Sequence, residues 1–369
     1  MLHRHRLLFV RVIGALAIVL SLLVSLAAGT SAHVDNGADV YVITNDASGN
    51  ALAVFHRAND GTLSPAGTVA AGGLGTGTAL GSQGAVILSD NGRWVFAVDA
   101  GSNQISSFRV TPFGPTLVSV VDSGGTMPIS LTQSGDLVYV LNAGGSGNIS
   151  GFHLGPRGTL DALPGSTRPL SGGATNPAEI AFAPDGRMLV VTERDSNMID
   201  TYRLDFFGRA EGPNAQASSG PVPYGFAFGR DGNLIVSEAG TNTVSSYRID
   251  SAGDLRAVSA SVATNQMAPC WVTIGGNGHF AYTTDAASNA ITGYRIGNNG
   301  ELTILDADGL TAATGPHPTD MAVSGNGRFL YDRNSDGTIS AFQVSSTGAL
   351  SPLGTFGTLP ASATGLAGN

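Results

Sequence analysis

One short turn recurs along this chain and restricts its fold more than any other feature. An apolar run, an Asp-Gly, Asn-Gly or Ser-Gly dipeptide and a second apolar run occur together as SDNGRW, TQSGDL, APDGRM, GRDGNL, GGNGHF and SGNGRF. Asp-Gly and Asn-Gly between apolar runs are strong hairpin signals, because type I′ turns need positive φ at both central residues. The repeat therefore predicts a series of antiparallel hairpins, whose strands we call A and B.

A second hairpin recurs seven times. Its first strand, C, carries an aromatic residue near its end, and its turn carries one glycine before the last strand, D. The aromatic residues are Phe55, Phe108, Phe152, Tyr202, Tyr247, Tyr294 and Phe342, and the turn glycines are Gly61, Gly114, Gly158, Gly208, Gly253, Gly300 and Gly348. Four antiparallel strands in about 45 residues correspond to one propeller blade. We expect the repeated aromatic residues to pack between blades rather than to contact a ligand.

The number of strands predicts how the ring closes. Strands B, C and D occur seven times, beginning near Val40, whereas strand A occurs only six times before the end of the chain. The last residues, LPASATGLAGN, align with the starts of the other A strands. We therefore expect an all-β fold, a seven-bladed β-propeller of four-stranded antiparallel blades, closed by the C-terminal strand as the inner strand of the first blade. Closure of this kind leaves no open sheet edge.

The N-terminal segment has the features of an export signal. A basic start precedes an apolar run from Val12 to Ala28, and small residues lead up to Ala32. This order predicts a secretory signal peptide over residues 1–32, cleaved after Ala32, and the alternative is a retained membrane anchor. We expect residues 33–369 to form a single propeller domain that is secreted as a monomer and has no membrane segment after cleavage.

Composition limits the partners of the chain. All 18 basic residues are Arg, and three of them precede residue 33, so 15 Arg remain against 27 acidic residues, a net charge of −12. Binding to nucleic acid or to an anionic membrane is disfavoured, because those ligands need a basic surface that releases their counterions. The single cysteine, Cys270, excludes an internal disulfide framework and a thiolate zinc site. We expect a small-molecule substrate or an extracellular ligand as the partner.

Polar residues collect where the B strands end, on one face of the expected ring. The B strands end in Asn45-Asp46, Asp99, Asn142, Glu193-Arg194, Glu238, Asp285 and Arg333-Asn334. Functional residues of a repeat protein are expected where the repeat breaks, since positions shared by all repeats form the scaffold. Clustered carboxylates suit a general base toward water, and an Arg suits an anion or a developing oxyanion.

The sequences of the repeats resemble those of the lactonase family of seven-bladed propellers. The APDGR turn, VYVLNAG at residues 138–144, LIVSEAG at residues 234–240 and the Gly-Thr-Leu turns are similar to its repeats. The resemblance covers essentially the whole chain after the signal peptide. It implies an enzyme like 6-phosphogluconolactonase or the carboxymuconate-cyclising enzymes, although a related group of surface propellers with YVTN-like repeats is not enzymatic.

The resemblance implies a site with a His, a Glu and Arg residues on the face just described. The family Glu falls on Glu238, but the family His falls on Ala178. An Arg expected after a B strand falls near Asp285 and is also absent. Arg194 and Arg333 lie at B-strand ends of other blades and are expected to substitute for it.

These considerations select eight candidate residues and a function. The expected function is hydrolysis of a small lactone, with Glu238 or Glu193 as the base toward water and Arg194 or Arg333 as the anion or oxyanion partner. The expected substrate-binding residues are Asp285, Trp271, His317 and Tyr224.

Three alternatives stay open at this point. The first is that the protein is a non-catalytic extracellular propeller that binds a ligand or a protein. The second is that the same ring of oxygens binds Ca²⁺, although the expected hydrolysis requires no cofactor. The third is that the acidic residues only cap turns and keep the rim hydrated.

Overall fold

The computed structural model describes residues 39–275 and 278–368. The predicted signal peptide lies outside the described residues. The regular elements of the described part are thirty β-strands, which form seven antiparallel sheets. The prediction of an all-β, seven-bladed propeller is confirmed. Within residues 39–275 and 278–368, no helix is long and apolar enough to span a bilayer.

Strand A is the innermost strand of every blade, and strand B pairs with it. The A strands are β4 (Val86–Leu88), β8 (Pro128–Ser134), β13 (Pro177–Phe182), β17 (Pro223–Phe228), β21 (Pro269–Gly275), β26 (Pro318–Val323) and β30 (Thr364–Gly368). The B strands are β1 (Asp39–Ile43), β5 (Trp94–Asp99), β9 (Leu137–Asn142), β14 (Met188–Glu193), β18 (Leu234–Glu238), β22 (Phe280–Asp285) and β27 (Phe329–Asn334). We number the blades 1 to 7 by their B strands in chain order.

Strands C and D complete each blade on its outer side. The C strands are β2 (Ala51–Arg57), β6 (Gln104–Arg109), β10 (Asn148–Leu154), β15 (Met198–Leu204), β19 (Thr243–Ile249), β23 (Ala290–Ile296) and β28 (Ile339–Val344). The D strands are β3 (Leu63–Ala70), β7 (Thr116–Asp122), β11 (Leu160–Ala162) with β12 (Arg168–Pro169), β16 (Ala210–Ala217), β20 (Leu255–Ala263), β24 (Leu302–Ile304) with β25 (Ala312–Ala313), and β29 (Leu350–Phe356). Strand D is interrupted in blades 3 and 6, where two short strands pair with the same C strand.

The C-terminal segment closes the ring as predicted. In blade 1, β30 pairs antiparallel with β1, so that Val40 lies opposite Gly368 and Ile43 lies opposite Thr364. Leu366 is buried in one apolar cluster with Val40. The inner strand of a blade that begins at residue 39 is therefore supplied from the other end of the described chain.

The repeated aromatic residues are buried, as expected from their position. Phe342, for example, shares an apolar cluster with Tyr282 of the neighbouring blade 6. Packing of large rings between blades removes the apolar faces of both sheets from water, which is the dominant favourable contribution to folding.

Five of the A strands begin with the same backbone arrangement. The residue before their first proline has positive φ, and these residues are Met127, Asn176, Val222, Ala268 and His317. In four of the five, the N–H of this residue donates to the Oδ1 of an Asn in the preceding blade at 2.8 Å, and these Asn residues are Asn103, Asn197, Asn242 and Asn289. The contact ties blade 2 to blade 3 and joins blades 4, 5, 6 and 7 in series. The left-handed backbone of His317 is therefore a feature of the scaffold.

We predict that Leu366→Ala weakens the closure of the ring. Leu366 is 4% exposed, and truncation of a buried Leu costs about 2–5 kcal/mol. The free energy of unfolding in urea measures this loss. Leu310→Ala is the matched control, because Leu310 is 45% exposed and its truncation should cost no more than about 0.5 kcal/mol. Equal losses in the two variants would contradict the importance of this junction.

Candidate functional site

A small cavity opens on the face of the ring where the B strands end. Its volume is about 170 Å³, below the range of about 300–1,000 Å³ that is typical of pockets for drug-sized ligands. The polar and aromatic residues that line it are Ser82, Tyr224, Trp271, His317, Thr319, Asp320, Arg333, Ser335 and Thr364. We call this cavity the mouth pocket. It brings together four of the eight residues predicted from the sequence.

Arg333 is the residue of this pocket that breaks the repeat. In blades 2 to 6 the residue before the last one of strand B is apolar or carries a small hydroxyl, namely Val98, Leu141, Thr192, Ser237 and Thr284. In blade 7 this residue is Arg333, which is 2% exposed. Its Nη1 donates to the carbonyl oxygen of Asn334 at 3.4 Å, and its Nε has no hydrogen-bond partner in the described part of the chain. A buried cation with an unused donor is suited to an anion or an oxyanion.

Asp320 lies in the same pocket as Arg333. Its Oδ1 accepts the N–H of Met321 at 3.0 Å, and its Oδ2 accepts the N–H of Gly84 at 3.4 Å. Burial raises the pKa of Asp320 to about 7, although the N–H of Gly84 and the charge of Arg333 both act to lower it. A carboxyl group with a pKa near neutrality is suited to general acid–base catalysis.

Asp332 is a second buried carboxyl group beside Arg333. Neither of its carboxyl oxygens has a hydrogen-bond partner among the described residues. Burial raises the pKa of Asp332 well above its usual range, more than the charge of Arg333 lowers it. Burial therefore favours the neutral form of Asp332 more than that of an exposed aspartate, while any negative charge on Asp332 acts on Arg333.

Tyr224 and Trp271 hold a loop of the chain itself in the mouth pocket. The hydroxyl of Tyr224 donates to the carbonyl oxygen of Gly81 at 2.6 Å, and Nε1 of Trp271 donates to the carbonyl oxygen of Ser82 at 2.9 Å. The guanidinium of Arg194 lies over the ring of Tyr224, 4.9 Å from its centre. Tyr224 and Trp271 therefore line the pocket and hold the loop there, whereas Arg194 contacts Tyr224 and does not line the pocket.

A family model matches the chain from residue 32 to residue 367. The family model of the lactonase seven-bladed β-propeller matches residues 32–163, 156–274 and 253–367. The chain belongs to the lactonase family. No protein of curated function matches its sequence.

Three solved structures illustrate the likeness in fold. A candidate 6-phosphogluconolactonase from Bacteroides fragilis is 20% identical with a TM-score of 0.71, over 90% of this chain and 98% of that one. A protein from Lactobacillus plantarum is 16% identical with a TM-score of 0.73, over 89% and 98%. The periplasmic gluconolactonase of Pseudomonas aeruginosa is 15% identical with a TM-score of 0.70, over 89% and 98%. At these identities the likeness concerns the fold alone.

The Glu position of the lactonase family is not at the mouth in this chain. Glu238 is fully buried inside blade 5. Its carboxylate accepts five hydrogen bonds of 2.8 to 3.1 Å, from Ser218 Oγ, Gly220 N, Thr243 Oγ1, Ser245 Oγ and Tyr247 Oη. The expectation that Glu238 faces the channel mouth is therefore corrected: its oxygens join strand B to strand C and to the loop before strand A.

The same position is buried in every blade of this lactonase-family chain. The residues concerned are Asn45, Asp99, Asn142, Glu193, Glu238, Asp285 and Asn334, and each is 0% exposed. Glu193 and Asp285, which the sequence placed at the mouth, thus point into their own blades. The physical reason is the pleat of the strand, which turns consecutive side chains to opposite faces. Arg333 lies within strand B and lines the pocket, whereas Arg194 follows the last residue of its B strand and does not line it.

Blade 4 departs from the others in the partner of this buried residue. In blades 2, 3, 5, 6 and 7 the C strand presents a hydroxyl, from Ser106, Ser150, Ser245, Thr292 and Ser340, and in blade 4 it presents Asp200. Glu193 accepts the N–H of Ser171 at 2.9 Å and the hydroxyl of Ser196 at 2.6 Å. Burial, together with the hydrogen bond and charge of Glu193, raises the pKa of Asp200 to about 8. Asp200 therefore faces Glu193 as a neutral acid at pH 7.

Asp285 belongs to the ring of strand-end residues for which Ca²⁺ binding is predicted. The Oδ2 of Asp285 accepts the hydroxyl of Thr292 at 2.7 Å, and burial raises the pKa of Asp285 to about 8. In residues 39–275 and 278–368, no group of three or more His, Cys, Asp or Glu side chains is arranged to hold a metal ion. The prediction of Ca²⁺ stays a prediction, and it has no candidate cluster in this part of the chain.

The sequence named His317 and missed Asp320 and Asp332 as site residues. The side chain of His317 is exposed at the rim of the mouth pocket, where it can contact a ligand from the solvent side. The signal that identifies Asp332 and Arg333 is their charge in FLYDRN, at positions where blades 2 to 6 carry apolar or hydroxyl residues. A charged residue at a repeat position that is uncharged in blades 2 to 6 therefore identifies the site better than a charged residue at the end of a strand does.

We predict that Glu238→Gln destabilises the fold. An amide offers one acceptor oxygen where the carboxylate offers two, so either the N–H of Gly220 or the hydroxyls of Thr243 and Ser245 lose their acceptor. Hydrogen bonds to charged groups contribute about 1.5–3 kcal/mol each. The free energy of unfolding should fall by about 2–3 kcal/mol on the same basis. Glu211→Gln is the matched control, because the side chain of Glu211 is 56% exposed. An unchanged free energy of unfolding in Glu238→Gln would contradict a structural role.

We predict that Asp200→Ser reduces the loss of stability at high pH. The folded chain holds the proton of Asp200 to about pH 8, whereas an unfolded chain releases it near pH 3.9. The contribution of Asp200 is therefore full below about pH 4 and is lost as the pH rises toward 8.

The measurement is the free energy of unfolding of both proteins at pH 4.5 and pH 8. Asp200→Ser should gain stability relative to the wild type between these two values, on the order of a few kcal/mol. Asp161→Ser, on an exposed outer strand, should keep the wild-type pH dependence. The same pH dependence in Asp200→Ser and the wild type would show that Asp200 does not hold this proton.

Proposed function

We propose that this protein hydrolyses small lactones in the mouth pocket, with Asp320 as the base toward water and Arg333 as the partner of the oxyanion. The observation that carries the proposal is the buried guanidinium of Arg333, which has an unpartnered Nε and lines the same cavity as Asp320. Membership of the lactonase family supports the class of reaction. The gluconolactonase activity of the Pseudomonas aeruginosa protein, which shares the fold, supports a lactone as the substrate class.

The proposed reaction begins with the carboxylate form of Asp320. This carboxylate takes a proton from water while the water oxygen attacks the carbonyl carbon of the lactone. The carbonyl oxygen becomes an oxyanion, and the guanidinium of Arg333 stabilises it by charge and by hydrogen bonding. The ring C–O bond then breaks, the leaving oxygen takes the proton from Asp320, and the product is the hydroxy acid. The reaction consumes one water and regenerates the carboxylate.

Burial gives both groups their chemistry. A carboxylate in water is a weak base, but the pKa of about 7 that burial imposes on Asp320 brings its basicity close to the optimum for neutral pH. The positive charge of Arg333 acts more strongly in a water-poor cavity than at the surface. A pocket of about 170 Å³ suits a monocyclic lactone rather than a large conjugate.

Location and partners belong to the same proposal. The basic and apolar N-terminal segment supports export, and the excess of acidic over basic residues supports a small-molecule ligand rather than nucleic acid. We infer a secreted monomer that needs no cofactor for hydrolysis. Glu238 and Glu193 are not proposed again as bases, since both carboxylates are enclosed in their blades.

A second candidate function is supported by the position of the family His. Ala178 occupies it, and its carbonyl oxygen accepts the N–H of Gln83 at 3.1 Å. Together with the enclosed Glu238, this leaves neither the family His nor the family Glu at the mouth. A propeller that binds a small anion at Arg333 without converting it is therefore the alternative, and it uses the same pocket.

We predict that the purified protein hydrolyses at least one small lactone, with kcat/KM rising through pH 7 as Asp320 loses its proton. Asp320→Asn should lower kcat about 100-fold or more, the usual contribution of a general base. Arg333→Gln should lower it by about 100-fold or more as well, as removal of an oxyanion donor does. It should also move the midpoint of the remaining pH profile upward, because Arg333 lowers the pKa of Asp320.

The matched control is Asp161→Asn, which lies on the exposed outer strand of blade 3 and should retain full activity. Thermal melting of each variant shows whether a loss of activity reflects unfolding. Full activity in both Asp320→Asn and Arg333→Gln would exclude the proposed site. No hydrolysis of any lactone, combined with calorimetric binding of a hydroxy acid that Arg333→Gln abolishes, would establish the binding alternative.

A further inference from the structure

The floor of the mouth pocket is a piece of the chain that precedes β4. We call residues 81–84 the hook. Gly81 and Ser82 line the mouth pocket, whereas Gln83 and Gly84 line a second cavity of about 380 Å³, which we call the axial cavity because the A strands line it. Asp320 lines both cavities. The hook therefore separates two cavities that share the wall carrying Asp320.

The side chain of Gln83 spans the ring axis. Its carboxamide reaches from the start of blade 2 to the A strands of blades 5 and 6 on the other side of the ring. Nε2 donates to the carbonyl oxygens of Val272 at 2.8 Å and Phe226 at 3.3 Å, and Oε1 accepts the N–H of Val272 at 2.9 Å. Both N–H groups and the oxygen thus have backbone partners. Such a fully matched amide holds one conformation.

The strand opposite is shaped for this carboxamide. A Cβ at Gly225 would lie 2.3 Å from Oε1 of Gln83, so a side chain at 225 would displace the amide. The four other A strands that begin with proline carry a side chain at the same distance from it, namely Ser130, Glu179, Trp271 and Asp320. Among these five strands, glycine occurs only where Gln83 approaches. Glycine at 225 therefore makes room for the hook and also for the backbone of the neighbouring strand, since a Cβ would lie 2.6 Å from the carbonyl oxygen of Cys270.

The rest of the hook is fixed to several other blades. Ser82 Oγ donates to the carbonyl oxygen of Ile129 in blade 3 at 2.7 Å, and the N–H of Gln83 donates to that of Ala178 in blade 4 at 3.1 Å. The carbonyl oxygens of Gly81 and Ser82 accept hydrogen bonds from Tyr224 and Trp271, as described above. With these anchors the floor stays in place, and only the side chain of Gln83 crosses the axis.

We propose that Gln83 determines the size of ligand that the mouth pocket accepts: its carboxamide closes the floor, and a shorter side chain at 83 joins the pocket to the axial cavity. The class of ligand assumed in this proposal, a lactone, rests on the proposed function. With Gln83 the pocket takes a monocyclic ligand that ends at Asp320. Without it the combined space falls within the range of about 300–1,000 Å³ for larger ligands, and a lactone with an extended substituent fits.

The first test needs no ligand and uses the single cysteine of the chain. Cys270 is 8% exposed and shares an apolar cluster with Tyr224 and Trp271, which hold the hook. Burial raises the pKa of its thiol to about 12, so a thiol reagent such as Ellman's reagent should react slowly with the wild type. Gln83→Ala should react at least tenfold faster, because water and reagent enter through the open floor.

Two variants make this test specific. Gln83→Met keeps the length and volume of the side chain, so its reaction rate should stay within threefold of the wild type. Gln133→Ala removes another glutamine that lines the axial cavity but bonds to the backbone of Gly135 and of Asp90 in the adjacent blade 2 rather than across the ring axis, and its rate should also stay near the wild type. A rate in Gln83→Ala within twofold of the wild type, at an unchanged melting temperature, would overturn the proposal. An equal acceleration in Gln133→Ala would overturn it as well.

The second test measures ligand size. The ratio of kcat/KM for an alkyl-substituted lactone to that for the unsubstituted ring should rise at least tenfold in Gln83→Ala and stay near the wild-type value in Gln83→Met. An unchanged ratio in Gln83→Ala would overturn the role of Gln83 in size selection. Failure of the proposed function has a different signature, because the wild type would then hydrolyse no lactone while the thiol test would still report on the floor.

Discussion

The pairing of β30 with β1 is the interaction on which the rest of the structure depends. It gives blade 1 its inner strand and thereby completes the wall of the axial cavity, which includes Leu366 and Gly368. A closed ring has no exposed inner edge, so the five A strands that begin with proline can present their bulged starts to the centre. The mouth pocket follows from this closure, since Ala361 and Thr364 near the C terminus line it together with residues of four other blades.

Inside that ring, the buried charges of blade 7 are the feature that packing alone does not explain. Arg333 and Asp332 occupy positions that are uncharged in blades 2 to 6, and both keep polar atoms without partners among the described residues. Burial of charged groups without full pairing is costly, and such groups cluster at functional sites. The hook adds a second constraint, because it fixes how deep a ligand can reach toward Asp320.

The fold could be predicted from the sequence because it repeats, and the site could not be predicted to the same extent because it depends on single residues. Turn glycines and strand aromatics specify blades whatever their neighbours are. Whether Glu238 or Ser237 faces the mouth depends on a one-residue shift of strand phase, which reverses every side chain. Arg194 and Arg333 both occur at B-strand ends in the sequence. Arg333, however, comes before the repeated buried position of its blade, whereas Arg194 comes after it. The contacts of the hook could not be predicted from the sequence, because Gln83 bonds to Val272 across the ring, 189 residues away along the chain.

The proposed function depends on ligand binding at Arg333 and Asp320 above the hook. A crystal structure of the protein soaked with the hydroxy acid product of its best lactone tests this binding mode. We expect the product carboxylate within hydrogen-bond distance of the Arg333 guanidinium, the rest of the product in the mouth pocket, and Gln83 still bonded to Val272 beneath it. A product bound elsewhere on the ring, or bound in the mouth pocket without contact to Arg333, would show that Arg333 and Asp320 do not form the binding site.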